Sequence, residues 1–549
     1  MRRADDKSRV LDALIVGAGF AGLYMLHRLR SLGFRALVLE AGGGIGGTWY
    51  WNRYPGARCD IESTQYSYQF SPELEQDWCW SERYASQAEI LRYAEHVADR
   101  FDLRRDIELA TRVAAARYDE TSHLWTLMTE RGVSYRAPVC IMATGCLSVA
   151  SRPAIDGLDR FAGPVWHTGE WPHDAVSLEG RRVAVVGTGS SGIQAVPVIA
   201  RTARDLTVFQ RTPSYVVPAR NIPLPAVIQD GIKATYRQLR ARAKLTATGV
   251  LFDWSPEKAA ETPPDLRRRE YERRWARGGL TFLGAFSDLL TDEAANATAA
   301  DFVREKIRSI VKDPCVAERL MPRGLIGARR LCVDMGYLEA FNRPNVTLVD
   351  VAATPIERIS ENGVVVGGHE HLADVIVLAT GFDAMTGALA RIDIRGAAGI
   401  PLRDKWLAGP RTYLGLAMHG FPNLFTVTGP GSPSVLTNML PSIEQHVEWI
   451  ADCMAHMRAH GVSTIEPTLE AEDAWVAHVA DLAGETLRMK EPSWYLGANV
   501  AGKPRVFMPY TGGFARYGEI CADVAATGYR GFSLGPQARV DARRSDPVA

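Results

Sequence analysis

Excess charge of either sign is the first thing this sequence lacks: 63 Lys and Arg stand against 63 Asp and Glu in 549 residues. A basic field that could hold nucleic acid or an anionic membrane surface is thereby excluded as a global property. Cysteine is scarce, at eight, and no pair has C-x-x-C spacing; Cys140 and Cys146 are the nearest in sequence. That argues against a zinc site or a disulfide framework and for reduced thiols. No segment is apolar enough to span a bilayer, and Met1-Arg2-Arg3-Ala4-Asp5-Asp6 lacks the apolar core of a signal peptide. The expectation is a cytoplasmic protein, a monomer or weak dimer, with a small-molecule substrate, no metal site, and no nucleic-acid or membrane partner. Its length allows about three or four domain-sized units.

What is present begins with glycine in a particular setting. Leu11 to Val16 is an apolar run of strand length, followed at once by Gly17-Ala18-Gly19-Phe20-Ala21-Gly22. A helical pattern through Leu23, Leu26 and Leu29 comes next, then a second strand from Ala36 to Leu39 that ends in Glu40. Strand, Gly-rich turn, helix, strand and acid in this order make a dinucleotide fingerprint. Gly17, Gly19 and Gly22, with Ala21 between them, let the backbone approach a pyrophosphate at a helix N-terminus. Glu40 can accept both ribose hydroxyls and repels a 2′-phosphate, so the ligand is FAD or NAD. Cys140 to Gly145 is another apolar strand, ending in Ala-Thr-Gly, of the kind that closes the first half of a two-dinucleotide flavoprotein.

The run Gly46 to Ser63 is too aromatic and Gly-rich for an ordinary connection. It contains Thr48-Trp49-Tyr50-Trp51 and then Arg58-Cys59-Asp60. Just downstream of the fingerprint, it reads as a loop that covers an isoalloxazine ring.

A second fingerprint follows. Arg182 to Val186 is a strand, Gly187-Thr188-Gly189-Ser190-Ser191-Gly192 the turn, and Ile193, Val196 and Ile199 the helix face. The next strand, Leu206 to Phe209, ends in Gln210-Arg211-Thr212. Arg211 stands where the first site has Glu40. A guanidinium pairs bidentately with phosphate, so this site prefers NADP. One site excludes a 2′-phosphate and the other invites it.

Between the two halves, Phe161 to Pro172 holds too much Gly, Pro and aromatic content for a helix and reads as an ordered linker. Its His167, taken alone, is more ordinarily a hydrogen-bonded structural residue than a catalyst. From about Asn221 to Arg323 the pattern is helical and charged, and the basic run Asp265 to Trp275 reads as a solvated helix face. Taken alone, Arg329 and Arg330 are two exposed arginines. Asp374 to Leu378 is a buried strand ending in a second Ala-Thr-Gly, where the chain returns to its first domain. Gly429 to Ser434 is a tight loop, and a helix through Ile443, Val447 and Ile450 follows it, reaching past Met457. Ser493 to Asn499 has the makings of a ligand-closing loop.

The expected fold class is α/β, with two Rossmann-like dinucleotide-binding domains, for FAD and NADP, and a helical insertion. The expected units are 1–146 and 382–536 for FAD, 147–216 and 329–381 for NADP, 217–328 for the insertion, and a polar, disordered tail at 537–549.

From Ala13 to about Leu534 the chain resembles the type I Baeyer–Villiger monooxygenases. The family's motif Phe-x-Gly-x-x-x-His-x-x-x-Trp-Pro is met by Phe161, Gly163, His167, Trp171 and Pro172, flanked by both fingerprints. The resemblance implies FAD reduced by NADPH, O2 added at the flavin C4a, and attack of that peroxide on a ketone to give an ester or lactone. Aryl, cyclic and steroid-like ketones are all open, with sulfide oxidation as a side activity. It further implies Arg330 as the fixed cation at the reacting oxygen, Asp60 as the carboxylate that orients it, and His167 as a residue coupling domain motion. Arg329 falls where the family has a lysine for the 2′-phosphate, beside Arg211. Gln194 and Thr212 fall among the nicotinamide-nucleotide contacts. Thr48, Trp49, Tyr66, Val113 and Met439 fall among the flavin contacts. Cys146, Ser434, Val435 and Trp494 fall on the substrate pocket, Cys146 where aryl-ketone relatives carry an amide.

Two other readings compete. A flavin monooxygenase acting on nitrogen or sulfur nucleophiles would not need Arg330 held by Asp60. A disulfide reductase would need a dithiol, and Cys59 has no partner at suitable spacing.

Overall fold

The computed structural model describes residues 11–536; the tail 537–549 lies outside them. Two five-stranded parallel sheets carry the architecture. In the first, the spatial order is Leu424–Thr426, Val139–Met142, Ala13–Val16, Ala36–Leu39 and Ile107–Glu108. Its central strands are buried at every position, the signature of parallel strands covered on both faces. Helix Phe20–Ser31 joins the first two strands in sequence and packs on the long helix Met439–His460. That later helix brings the C-terminal part of the chain onto the N-terminal sheet.

The second sheet runs Val346–Asp350, Asp205–Gln210, Arg182–Val186, Val375–Leu378 and Val165–His167. Its last member refines the reading of Phe161 to Pro172. The segment is ordered, but its middle is an edge strand rather than a connection, parallel to Val375–Leu378. Val165 and Trp166 are good strand formers, and the open edge of Val375–Leu378 supplies pairing partners their backbone would otherwise lack.

Strands Val216–Pro218 and Cys332–Asp334 pair in parallel and bracket the helices between them. Tyr271, Phe282, Phe286 and Phe302 pack ring to ring inside that helical region. Its basic run is solvated at Arg268, Arg269 and Arg273. Arg274 departs from that expectation: it is fully buried and bonded to Glu270 at 2.6 Å, one helical turn away on the inward face. The strand Asp393–Arg395 pairs with Val113–Asp119, so the chain returns to the first half after the second sheet. Among the described residues no helix is long and apolar enough to cross a membrane.

Candidate active site

Each Gly-rich turn is a backbone cradle that a side chain would fill. Gly17 has φ +105°, and a Cβ there would meet Ala143 O at 2.6 Å; one on Gly22 would meet Gly17 O at 1.9 Å. The second turn repeats this: Gly187 has φ +111° and a Cβ would meet Ala379 O at 2.4 Å, while one on Gly192 would meet Gly187 O at 2.3 Å. At Gly17 and at Gly187 the obstructing oxygen belongs to the alanine of an Ala-Thr-Gly segment. Close backbone approach at a strand-to-helix turn is what a pyrophosphate requires.

Glu40 is buried and accepts hydrogen bonds from the N–H of Ala18 at 2.6 Å and of Gly42 at 2.7 Å. Burial raises its pKa, and the two N–H groups act against that rise. Arg211 is exposed at the corresponding end of the second site, with Thr212 beside it giving its carbonyl to the Thr188 hydroxyl at 3.1 Å. Gln210 is buried and donates to Arg319 O at 2.8 Å. Arg329 donates to Pro492 O at 3.0 Å and keeps its side chain 38% exposed. Gly189 starts the helix Ser190–Thr202; Ser190 Oγ lies 3.4 Å from Cys332 Sγ, and Ser191 accepts from the Thr168 hydroxyl at 3.2 Å. The two cradles, one ended by a buried carboxylate and one by a free guanidinium, fit FAD and NADP respectively.

The aromatic loop closes on the first cradle. A Cβ on Gly47 would lie 2.8 Å from Gly19 Cα, and the helical turn Thr48–Trp51 follows. Trp49 donates to the Tyr66 hydroxyl at 3.2 Å. Tyr50 lies against Gly42 and Gly44 and packs on His173, with centroids 4.4 Å apart; Trp51 stands edge-on to Tyr50. Val113 is buried at the start of its strand, and Met439 opens the long helix, partly buried.

Asp60 and Arg330, 270 positions apart, form a two-point pair. Arg330 Nε donates to Asp60 Oδ2 at 2.8 Å and Nη2 to Oδ1 at 2.8 Å. The remaining Nη1 donates to Val435 O at 3.0 Å. Burial pulls the Arg330 pKa down, but Asp60 first and Tyr495 next outweigh it and carry it well above the usual value. The guanidinium is a permanent cation held in a fixed plane.

The loop bearing Asp60 is itself clamped to the second half of the protein. Tyr54 donates its hydroxyl to Gln194 Oε1 at 2.7 Å, and Gln194 Nε2 donates to Arg58 O at 3.0 Å. Gly56, at φ +83°, has no room for a Cβ, which would meet Gln194 O at 2.3 Å. Gln194 therefore grips the loop with its side chain. The Arg58 guanidinium turns away to Glu82 at 3.0 Å and Tyr84 O at 2.5 Å. Tyr54, Gly56 and Glu82 escaped the sequence reading; the Pro55-Gly56 turn was the one local signal.

His167 is fully buried. Its Nδ1 accepts from Gly169 N at 3.0 Å, Nε2 has no partner, and Phe382 stands edge-on at 5.9 Å. Burial lowers its pKa to about 4, so the ring is neutral near pH 7. It ties the edge strand to the residues after the second Ala-Thr-Gly.

Cys146 and Val435 share a buried apolar cluster with Met385, Tyr495 and Phe507, and Trp494 and Met439 pack at its border. Burial raises the Cys146 pKa. Ser434 is buried beside the cluster at φ +42°, its hydroxyl 3.8 Å from Met385 Sδ.

Two dinucleotide cradles, one ended by the buried Glu40 and the other by the exposed Arg211, define a flavin- and nicotinamide-dependent oxidoreductase. Residues 14–249 match the pyridine nucleotide-disulphide oxidoreductase family, although all eight cysteines here are free. The chain is 43% identical, over 94% of its length and 95% of the relative, to a Baeyer–Villiger monooxygenase of Pseudooceanicola batsensis. It is 42% identical, over 95% of its length and 99% of the relative, to an acetone monooxygenase (methyl acetate-forming) of Gordonia sp.. Among solved structures, an oxidized steroid monooxygenase bound to NADP aligns with a TM-score of 0.92 and 52% identity, covering 96% of this chain and all of that one. The chain belongs to the Baeyer–Villiger monooxygenases.

Proposed function

We propose that the protein uses NADPH and O2 to place one oxygen atom beside a ketone carbonyl, giving an ester or lactone, with Arg330 as the catalytic cation. The observation that carries this is the bidentate Asp60–Arg330 pair, joined through Val435 to the apolar cluster around Cys146. FAD, reduced by NADPH, supplies the oxygen-transfer chemistry when bound. Arg330 cannot give up its proton, so it stabilises negative charge on oxygen without quenching it, including the oxyanion that develops on the carbonyl. Asp60 fixes the plane of the guanidinium. The cluster around Cys146 and Val435 excludes water from the reacting oxygen. Glu40 holds the FAD ribose, Arg211 and Arg329 hold the coenzyme 2′-phosphate, and neutral His167 couples the edge strand to the second cradle. Acyclic, cyclic and steroid-like ketones are the substrates to test, in line with the names of the relatives. A target at nitrogen or sulfur would leave the Asp60–Arg330 pair without a task.

The unit boundaries expected above are supported by the strand pairings on either side of 216–332 and by the return strand Asp393–Arg395. Placement in the cytoplasm is supported by the eight free cysteines.

The test is product mass after incubation with NADPH, labelled O2 and a panel of linear, cyclic, aryl and steroidal ketones. One labelled oxygen in an ester or lactone is expected. NADPH consumption that yields hydrogen peroxide alone with every ketone, but a labelled product from a sulfide or amine, would overturn the reading.

A further inference from the structure

A second guanidinium borders the apolar cluster around Cys146 and Val435, and nothing above gives it a task. Arg488 sits in the short turn Leu487–Lys490 that follows the helix Leu469–Gly484. The turn is stapled in place: Leu487 N donates to Leu290 O at 2.9 Å, Lys490 pairs with Glu293, and Glu491 accepts from Leu325 N at 3.1 Å. Arg488 is partly buried, with its guanidinium over the Tyr495 ring at 5.8 Å. Tyr495 belongs to the same apolar cluster as Cys146 and Val435, and Arg330 reaches that cluster through Val435 O. Two cations thus border one apolar cluster.

Their charges are balanced differently. Arg330 faces Asp60 at 2.7 Å, Lys503 faces Asp383 at 2.6 Å, Lys490 faces Glu293, and Arg329 has Glu491 at 3.8 Å. Among the described residues Arg488 is in no ion pair. Burial lowers its pKa and the Arg330 charge adds to that, with Tyr495 opposing both. A partly buried cation without a counter-charge costs free energy that an incoming anion would recover. A guanidinium offers a planar two-point fork that matches a carboxylate.

We propose that Arg488 receives a carboxylate on the substrate, so that the ketones this protein oxygenates are keto acids. The inference rests on the ketone reading above and narrows its substrate class. Arg330 then acts at the carbonyl end of the molecule and Arg488 fixes the other end, with apolar chain or ring between them. Such two-ended binding sets which side of the carbonyl faces the reacting oxygen.

The test uses the FAD-loaded enzyme and a series of ω-carboxylated methyl ketones of increasing length, each beside its methyl ester, which keeps the ketone and removes the charge. At the best length the acid should exceed its ester about tenfold in kcat/KM. Arg488→Gln should bring that ratio close to one, and Arg488→Lys should keep part of it. Titration calorimetry with the matching hydroxy acid, which cannot be oxygenated, should show binding that Arg488→Gln weakens by a similar factor. Acids no better than esters at every length would overturn the inference, as would an Arg488→Gln variant that lowers both equally. A rise in KM for NADPH with the acid-to-ester ratio unchanged would assign Arg488 to the coenzyme instead. If the methyl esters are oxygenated and the acids are not, this inference alone falls. If NADPH is consumed and no ketone of either series is oxygenated, the ketone reading falls and takes this one with it.

Discussion

If Asp60 acts through Arg330, the two residues should behave as one unit. Replacing Arg330 by Ala removes the fixed cation at the developing negative charge, a loss of ~100- to 1,000-fold in ester formation by analogy with a deleted oxyanion donor. Replacing Asp60 by Ala leaves the cation but frees it from two N–H···O contacts of 2.8 Å each in a partly buried setting. A charge-assisted bond contributes about 1.5–3 kcal/mol, so losing the orientation should cost roughly 10- to 150-fold. Independent roles would multiply to ~1,000- to 150,000-fold in the double variant. The pair geometry predicts instead a double variant close to Arg330→Ala alone, because Asp60 has nothing left to orient. The assay is ester formed per NADPH consumed, with hydrogen peroxide as the remainder, and flavin reduction followed separately by absorbance. Reduction should stay within a few-fold of the parent in all three variants. Multiplicative losses would refute the reasoning, and so would an Asp60→Ala variant whose flavin reduction falls as far as its ester formation.

Three further outcomes follow from other parts of the site. Arg211→Ala should weaken NADPH use by roughly 10- to 100-fold and leave NADH use nearly unchanged; equal loss for both would mean Arg211 does not read the 2′-phosphate. Gly56→Ala, at φ +83° and with a Cβ meeting Gln194 O at 2.3 Å, should cost about 2 kcal/mol and raise peroxide release, because the Asp60 loop must shift. The control Gly484→Ala, where a Cβ meets nothing within 4 Å, should leave the melting temperature unchanged or higher. His167 has a folded pKa of about 4 against 6.5 unfolded, so between those values the unfolded chain binds the extra proton. Its neutral form contributes stability that is complete above pH 6.5 and falls away toward pH 4, on the order of 3 kcal/mol in total. His167→Gln should flatten that part of a denaturant-midpoint profile relative to the parent, and an unchanged slope would refute the assignment.

The two cradles were legible because each is local. Strand, turn, helix and acid or arginine lie within one short stretch, and the φ values at Gly17 and Gly187 are what the glycines announce. The long helix after Gly429 to Ser434 was legible for the same reason, its apolar period continuing to Met457. The edge strand Val165–His167 was not, since only the bare flank of Val375–Leu378 turns those residues into a strand. Nor was the buried Arg274, because a basic run does not show which of its turns faces inward.

By itself the sequence determined that there are two dinucleotide sites, their order, and that a carboxylate ends one and an arginine the other, all set by neighbours a few to some twenty residues apart. Only the tertiary structure decided which charges meet. Asp60 and Arg330 are 270 positions apart, and the Tyr54–Gln194 clamp spans 140. The physical reason is range. Backbone propensity and hydrophobic period act along the chain, whereas the partner of a charged side chain is chosen by the packing of whole sheets and helices. Whether an arginine ends as a solvated surface group, as a cation locked by Asp60, or as Arg488 without a carboxylate is settled there.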